Sequence, residues 1–294
     1  MICHNHLSSS HELNLPIGEG LWLALQEQSE RTGASISHLV RQAIADSLYL
    51  DHNTIYQVST SGALVQGVYQ GCVKIGDVCR HGDFGLGTFE DLDGEGIMLE
   101  GTCWQAKGDG SVQKAPHEAM APFWTTTFFQ ADQTLTFHDV VSWSDFIQRL
   151  DQHRNSENIF SAIRVHGVFQ QVDYRVACKA EAGASLVEAT SHQAEFQKKE
   201  ISGTLIGFWT PTYARTINVP GYHLHLLSDD KSCAGHVLDL KARELKVDLH
   251  NENQVTIVLP ETAEFLKADL NGDPAAALEK AEGPQATSVD IEMS

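Results

Sequence analysis

Three histidines within fourteen residues are the side chains of this sequence best placed to do chemistry. His223 and His225 stand in Gly221-Tyr222-His223-Leu224-His225, and His236 follows in Cys233-Ala234-Gly235-His236-Val237-Leu238-Asp239. The run from Tyr222 to Leu227 is apolar and rich in strand formers. Side chains alternate faces along a strand, so His223 and His225 point the same way. Ser228-Asp229-Asp230-Lys231-Ser232 is polar and reads as a turn, and a hairpin across it returns His236 beside the pair. Three imidazoles on one sheet face make a three-nitrogen metal site with an open position. Catalytic zinc is held that way, whereas closed structural sites use four protein ligands. Chance clustering among fifteen histidines is the competing reading, and the spacing favours the metal. Cys233 is a candidate fourth ligand but reads more simply as a small hairpin residue.

Other chemically capable residues are less specific. His81-Gly82-Asp83-Phe84-Gly85-Leu86-Gly87-Thr88-Phe89 is glycine-rich. It lacks the Gly-Lys-Ser/Thr ending of a phosphate-binding loop and a helix after it, so it reads as a turn into a strand. Leu92-Asp93-Gly94-Glu95 places a carboxylate just past an Asp-Gly turn. Two strand-like segments, Ala162–Gly167 and Val172–Val176, carry Arg164 and Arg175. Either guanidinium could grip a substrate carboxylate bidentately, and residue chemistry alone leaves the choice open.

These residues must be positioned by a chain of 294 residues that is 42% hydrophobic, enough to bury a real core. The formal net charge of −19 repels phosphate and anionic lipid, which argues against a nucleic-acid coat or a membrane-surface binder. An anionic substrate then depends on local positive charge, from a metal or an arginine. No apolar run is long enough to span a bilayer, and the N-terminus lacks the basic and apolar regions of a signal peptide. The six cysteines are scattered without a C-x-x-C pair and read as reduced thiols of a cytoplasmic protein. Residues 1–10 are polar and read as a disordered leader, and the acidic stretch 284–294 as a disordered tail. Between them, 11–50 reads as a short strand (Glu12 to Pro16), a helix from Gly18 to Arg31 ended at Gly33, and a second helix capped by Ser35 or Ser37. Residues 51–283 form a larger domain of short strands with few helices, one of them over 144–153 with a serine cap. The fold class is α+β, with mixed sheets forming the metal site and a small strand-helix-helix module in front.

The module, through Leu13-Asn14-Leu15-Pro16 and Thr32-Gly33-Ala34-Ser35-Ile36-Ser37-His38-Leu39-Val40-Arg41, resembles ribbon-helix-helix proteins, whose chains dimerise by pairing the strand. Glu12 and Asn14 would face outward from that strand, with Leu13 and Leu15 toward a core. Residues 1–50 hold five acids against two bases, so association into a homodimer or higher oligomer is favoured over DNA binding.

Residues 55–283 resemble acetolactate decarboxylases over nearly their whole length. The motifs are Tyr56-Gln57-Val58-Ser59-Thr60, the glycine-rich stretch from His81 to Phe89, Leu92-Asp93-Gly94-Glu95 and Thr127-Phe128-Phe129. They continue in order through Gly203–Phe208, Thr210-Pro211, Asn218–His225 and Gly235–Asp239. The resemblance implies zinc on His223, His225 and His236, with Thr88, Glu95 and Arg175 lining the substrate site. It also implies a C-terminal glutamate folded back to the metal, Glu282 matching best and Glu279 second. The substrate implied is 2-acetolactate: zinc stabilises an enediolate as CO2 departs, and a glutamic acid, Glu95 or Glu282, protonates it to chiral acetoin. Residues 180–187 depart from the family's proline-rich loop, and the N-terminal module is not part of its usual pattern. A metal-assisted hydrolase and a DNA-binding regulator with a sensor domain are the alternative readings.

Overall fold

The structure, a computed structural model, describes residues 13–48, 52–181, 183–191 and 193–282. The leader 1–10, Glu12 and the tail 284–294 lie outside the described residues. Helix α1 (Glu19–Thr32) ends at Gly33, whose φ of 72° turns its N–H back to Ser29 O, a left-handed cap suited to glycine. Helix α2 (Ile36–Leu48) begins where Ser35 Oγ accepts from His38 N at 3.1 Å, so Ser35 is the cap. Leu13 to Pro16 forms no strand. Leu13 and Leu15, expected toward a core, are 70% and 55% exposed, and no strand among the described residues pairs with this segment. Helix α1 buries none of its residues.

Helix α2 is fastened to the larger domain. His38 Nδ1 lies 3.2 Å from Asp132, and Arg41 donates to the same carboxylate. Asp132 also accepts from Asn251 N at 2.8 Å. Asn53 extends the network, donating to Gln42 at 3.0 Å and accepting from His250 Nε2 at 2.8 Å.

The larger domain is built from three sheets. The first runs β14 (Gln254–Val258), β1 (Thr54–Val58), β8 (Phe123–Thr127), β3 (Phe84–Thr88), β4 (Glu95–Leu99), β5 (Thr102–Ala106) and β6 (Val112–Lys114). Only its β14–β1 pairing is parallel. The second runs β10 (Phe160–Val176), β11 (Ala194–Thr210), β12 (Gly221–Ser228), β13 (Ala234–Glu252) and β9 (Gln133–Val140), and β10 also pairs with β13. A two-stranded piece joins β2 (Val73–Lys74) to β7 (Met120–Ala121). The helices are short: α3 (Ser61–Val65), α4 (Ile75–Val78), α5 (Trp143–His153), α6 (Leu186–Thr190), α7 (Ala263–Lys267) and α8 (Ala275–Glu282). No helix among the described residues is long and apolar enough to cross a membrane.

Two local expectations need correction. The helix over 144–153 is capped by Ser142, whose Oγ accepts from Asp145 N, so it starts at Trp143. The segments around Arg164 and Arg175 are one strand, β10, carried through register shifts between Gly167 and Tyr174. Such bulges add twist without ending the ladder.

Strands β10, β11, β12 and β13 close into a ring. β11 pairs with both β10 and β12, β13 pairs with β10, and only His225↔His236, Leu226↔Gly235 and Leu227↔Ala234 join β12 to β13. Glycine is required at this closure: a Cβ on Gly235 would sit 2.5 Å from Arg175 O and 2.8 Å from the Tyr174 ring. Ile55, Phe84, Leu86 and Ile97 of the first sheet share one core with the ring's Phe169, Phe208 and Leu226. A second apolar cluster joins Leu64, Leu92, Phe123, Leu186, Val219 and Leu278 over one end.

Because Asp132 is buried and serves three donors, Asp132→Ala should leave Arg41 and His38 without their counter-charge. Loss of a buried partner of this kind costs roughly 3 kcal/mol. A lower urea midpoint with faster amide exchange in α2 is the expected outcome. Unchanged exchange in α2 would show that the contact does not hold the module.

Candidate metal centre

The three histidines meet at the ring closure. His223 and His225 lie on one face of β12, and register sets His236 of β13 opposite His225. Their ring centroids are 4.9, 4.9 and 5.6 Å apart, and one nitrogen from each falls within 4.8 Å of the others. All three side chains are buried.

Hydrogen bonds settle which nitrogens carry protons. His225 Nδ1 lies 3.0 Å from Gly96 O, and His236 Nε2 lies 3.2 Å from Glu282 O. A carbonyl only accepts, so these nitrogens donate, and burial holds the rings neutral. It pushes His225 down to about 4 and His223 and His236 well below their ordinary value. His225 Nε2 and His236 Nδ1 therefore carry bare lone pairs. His225 Nε2 lies 3.0 Å from His223 Nε2, while His223 Nδ1 is buried without a partner. Gly96 makes room for the Trp124 ring. It pairs with Gly87, and a Cβ there would enter the Trp124 ring at 2.4 Å.

Two carboxyls flank the cluster. Glu95, at the start of β4, accepts from Ala177 N at 3.1 Å and turns its other oxygen to His225 Nε2 at 3.5 Å. Glu282, at the end of α8, places an oxygen 3.5 Å from His236 Nδ1. With both rings neutral, these contacts are not ion pairs, and each needs a proton on the carboxyl or a cation between the groups. Burial, then the Glu282 charge, pushes Glu95 up to about 7, against the Ala177 N–H and Arg175. Burial also raises Glu282, with Arg175 opposing. A cation on the imidazoles would favour the carboxylate form of the group it touches and leave the other free to hold a proton.

Arg175 is 2% exposed, donates from Nη2 to Glu282 at 3.3 Å, and has Nη1 buried without a partner. It lines the same cavity as Glu95, Thr88, His223, His225 and Glu282. Thr88 pairs with Glu95 across the hairpin and gives its hydroxyl to Gly94 O at 2.8 Å, so it shapes the turn before Glu95. Arg164 is committed elsewhere, to Asp248 at 2.8 Å and over the Phe129 ring. Glu279 is exposed on α8. Cys233 is buried in the ring's core and stands outside the three-histidine group.

The structure adds a wall that the residue types had not pointed to. Leu64, Leu92, Phe123, Leu186 and Val219 line the apolar side of the cavity, with Thr190 and Gln193 at its edge. Of the segment 180–187, residues 183–185 lead into α6, where Ser185 and Glu188 form a reciprocal capping box. Ser185-Leu186-Val187-Glu188 carried that signal in the sequence.

Fold and site together define a β-rich enzyme around a three-histidine centre able to hold a metal ion. The family model of alpha-acetolactate decarboxylase matches residues 55–272. The alpha-acetolactate decarboxylase of Methylococcus capsulatus is 40% identical over 233 residues, 79% of this chain and 89% of that protein. That of Methanosarcina mazei is 39% identical over 231 residues, 78% and 80% of the two chains. The crystal structure of the Bacillus subtilis strain 168 alpha-acetolactate decarboxylase aligns with a TM-score of 0.76 at 35% identity, covering 78% of this chain and 99% of that one. The chain belongs to the alpha-acetolactate decarboxylase family, and it is a carbon–carbon lyase.

His225 is held on both sides, by Gly96 O and by its register with His236. His225→Ala should lose bound metal, since a two-histidine site is weak, whereas Cys233→Ser should keep it. Elemental analysis of purified protein checks both. Full metal occupancy in His225→Ala would remove this residue from the ligand set.

Proposed function

We propose that this enzyme converts 2-acetolactate to acetoin and CO2, with one zinc ion held by His223, His225 and His236. The carrying observation is the pair of facing acceptors, His225 with Glu95 and His236 with Glu282, each 3.5 Å apart. Buried lone pairs oppose one another unless a cation or a proton lies between them. The donor set of neutral imidazoles suits zinc. When bound, zinc supplies a Lewis acid for the negative charge that builds as CO2 leaves.

The residues divide the remaining work. Arg175 lines the cavity with Nη2 on Glu282 and Nη1 unpaired, a donor for the substrate carboxylate that holds the breaking bond in place. When that bond breaks, its electron pair moves onto the neighbouring ketone, so the substrate is its own electron sink. The resulting enediolate needs one proton on one face. Glu282 is engaged by Arg175, while Glu95 has one oxygen anchored by Ala177 N and the other turned to the site. Glu95 is therefore the proton donor in this reading. The apolar wall receives the methyl groups and keeps out water, which would protonate either face.

Incubation with 2-acetolactate should yield acetoin and CO2 in equal amounts, and no turnover would favour a metal-assisted hydrolase. Glu95→Gln should keep its metal and slow turnover about a hundredfold, the scale for a lost acid–base group. Arg175→Lys should also lose most activity, because a point charge does not reproduce the guanidinium fork. Arg164→Ala should stay near normal; the reverse pattern would exchange the two roles.

For the N-terminal module we propose subunit association. Leu13, Leu15, Ile17, Leu21 and Leu23 are all more than 40% exposed, an apolar surface suited to a second copy. Leu15→Asp with Leu21→Asp should lower the oligomer mass in light scattering without loss of fold. Tight, sequence-selective DNA binding at unchanged mass would instead support the regulator.

A further inference from the structure

We infer that Cys79 and Cys103 are a reversible dithiol–disulfide pair, a modification site separate from the metal centre. Their Sγ atoms lie 3.6 Å apart, although the residues are 24 positions apart in sequence. Cys79 closes α4 and Cys103 sits on β5. Both belong to a distinct apolar cluster around Trp124, Met98, Ile75 and Val78. A disulfide needs about 2.05 Å between sulfurs, so the pair must close by about 1.5 Å, within reach of side-chain rotation. No other described cysteine has a sulfur partner.

The two thiols are unequal in the way a reacting pair requires. Cys79 is half-buried and Cys103 is 3% exposed, so a small oxidant meets Cys79 first. Either sulfur can donate across this contact; with the more deeply buried Cys103 as donor, Cys79 is held below the usual thiol range, and Lys114 of β6 adds to the effect. Cys72, the nearest comparison, points at the carbonyls of Ala121 and Pro122, and burial pushes it up to about 11. The thiolate is the nucleophile, so Cys79 reacts before Cys72.

With a hydroperoxide as oxidant the chemistry balances. With hydrogen peroxide the Cys79 thiolate attacks one oxygen, the O–O bond breaks, and the departing hydroxide takes up the proton the thiol had released, giving a sulfenic acid and one water. Cys103 then attacks the Cys79 sulfur and loses its proton, and the sulfenic oxygen leaves as a second water. Two electrons pass from the sulfurs to the peroxide. The new bond ties α4 to β5, next to β4. Cys103 pairs with Met98 on that strand, three residues from Glu95. The cross-link thus braces the strand that carries Glu95, and it closes a long loop in the unfolded chain.

The full-length protein, reduced and desalted, is titrated with hydrogen peroxide and mapped by mass spectrometry without reductant. One intrachain cross-link between the Cys79 and Cys103 peptides should form before Cys72 is modified and vanish with dithiothreitol. The melting temperature should rise by roughly 4 °C or more on oxidation and return on reduction. In Cys103→Ser, Cys79 should stop at sulfenic or higher acids. Free Cys79 and Cys103 at a peroxide dose that consumes Cys72, or a cross-link to another cysteine or another chain, would overturn the pairing. An oxidised form that melts no higher than the reduced one would overturn the bracing.

Discussion

Three residue pairs between β12 and β13 close the second sheet on itself, and the site depends on them. Strand register has a period of two, so a slip of one residue would send His236 to the opposite face from His223 and His225. Gly235 makes the closure possible by letting β13 lie against the backbone of Arg175. The same crossing brings Arg175 into register with His236. The three histidines and Arg175 are thus placed by one piece of backbone geometry. Two further elements, β4 with Glu95 and α8 with Glu282, are brought against this core from the first sheet and from the end of the described chain.

Electrostatics gives that geometry its chemistry. Inside the closed sheet, imidazoles are neutral because nothing there solvates their charge, so their lone pairs are open. Carboxyls brought against them are out of place unless positive charge is shared among them. Arg175 supplies part of it, from a protein whose net charge is −19. The remainder is what the three-histidine centre is built to accept.

Much of this was legible in the sequence because it is local. The period-two spacing of His223 and His225, the polar turn after Leu227 and the Asp-Gly turn before Glu95 each define a short-range structure with a fixed geometry. Arg164 and Arg175 could not be separated that way. They lie on one bulged strand, and what distinguishes them is pairing with Asp248 and His236, contacts far off in sequence. Glu282 was reached only through resemblance, since a helix meeting the site from the far end of the chain leaves no periodic trace. The same holds for the wall of Leu64, Leu92, Phe123 and Val219, ordinary apolar residues until α3, α6 and α8 pack together. The cysteines looked unrelated for the same reason: only the fold sets Cys79 against Cys103.

Helix α2 is held by a polar latch at Asp132, which fits a module added to a domain that already folds around its own centre. The proposed reaction needs one cation that satisfies the facing acceptors and enables the chemistry. Its most direct test is a titration of chelator-stripped protein with zinc, followed by the rate of acetoin formation from 2-acetolactate. The account predicts activity that is absent at the start, climbs linearly and stops at one zinc per chain. Full activity in the stripped protein, or a rate indifferent to added zinc, would contradict it.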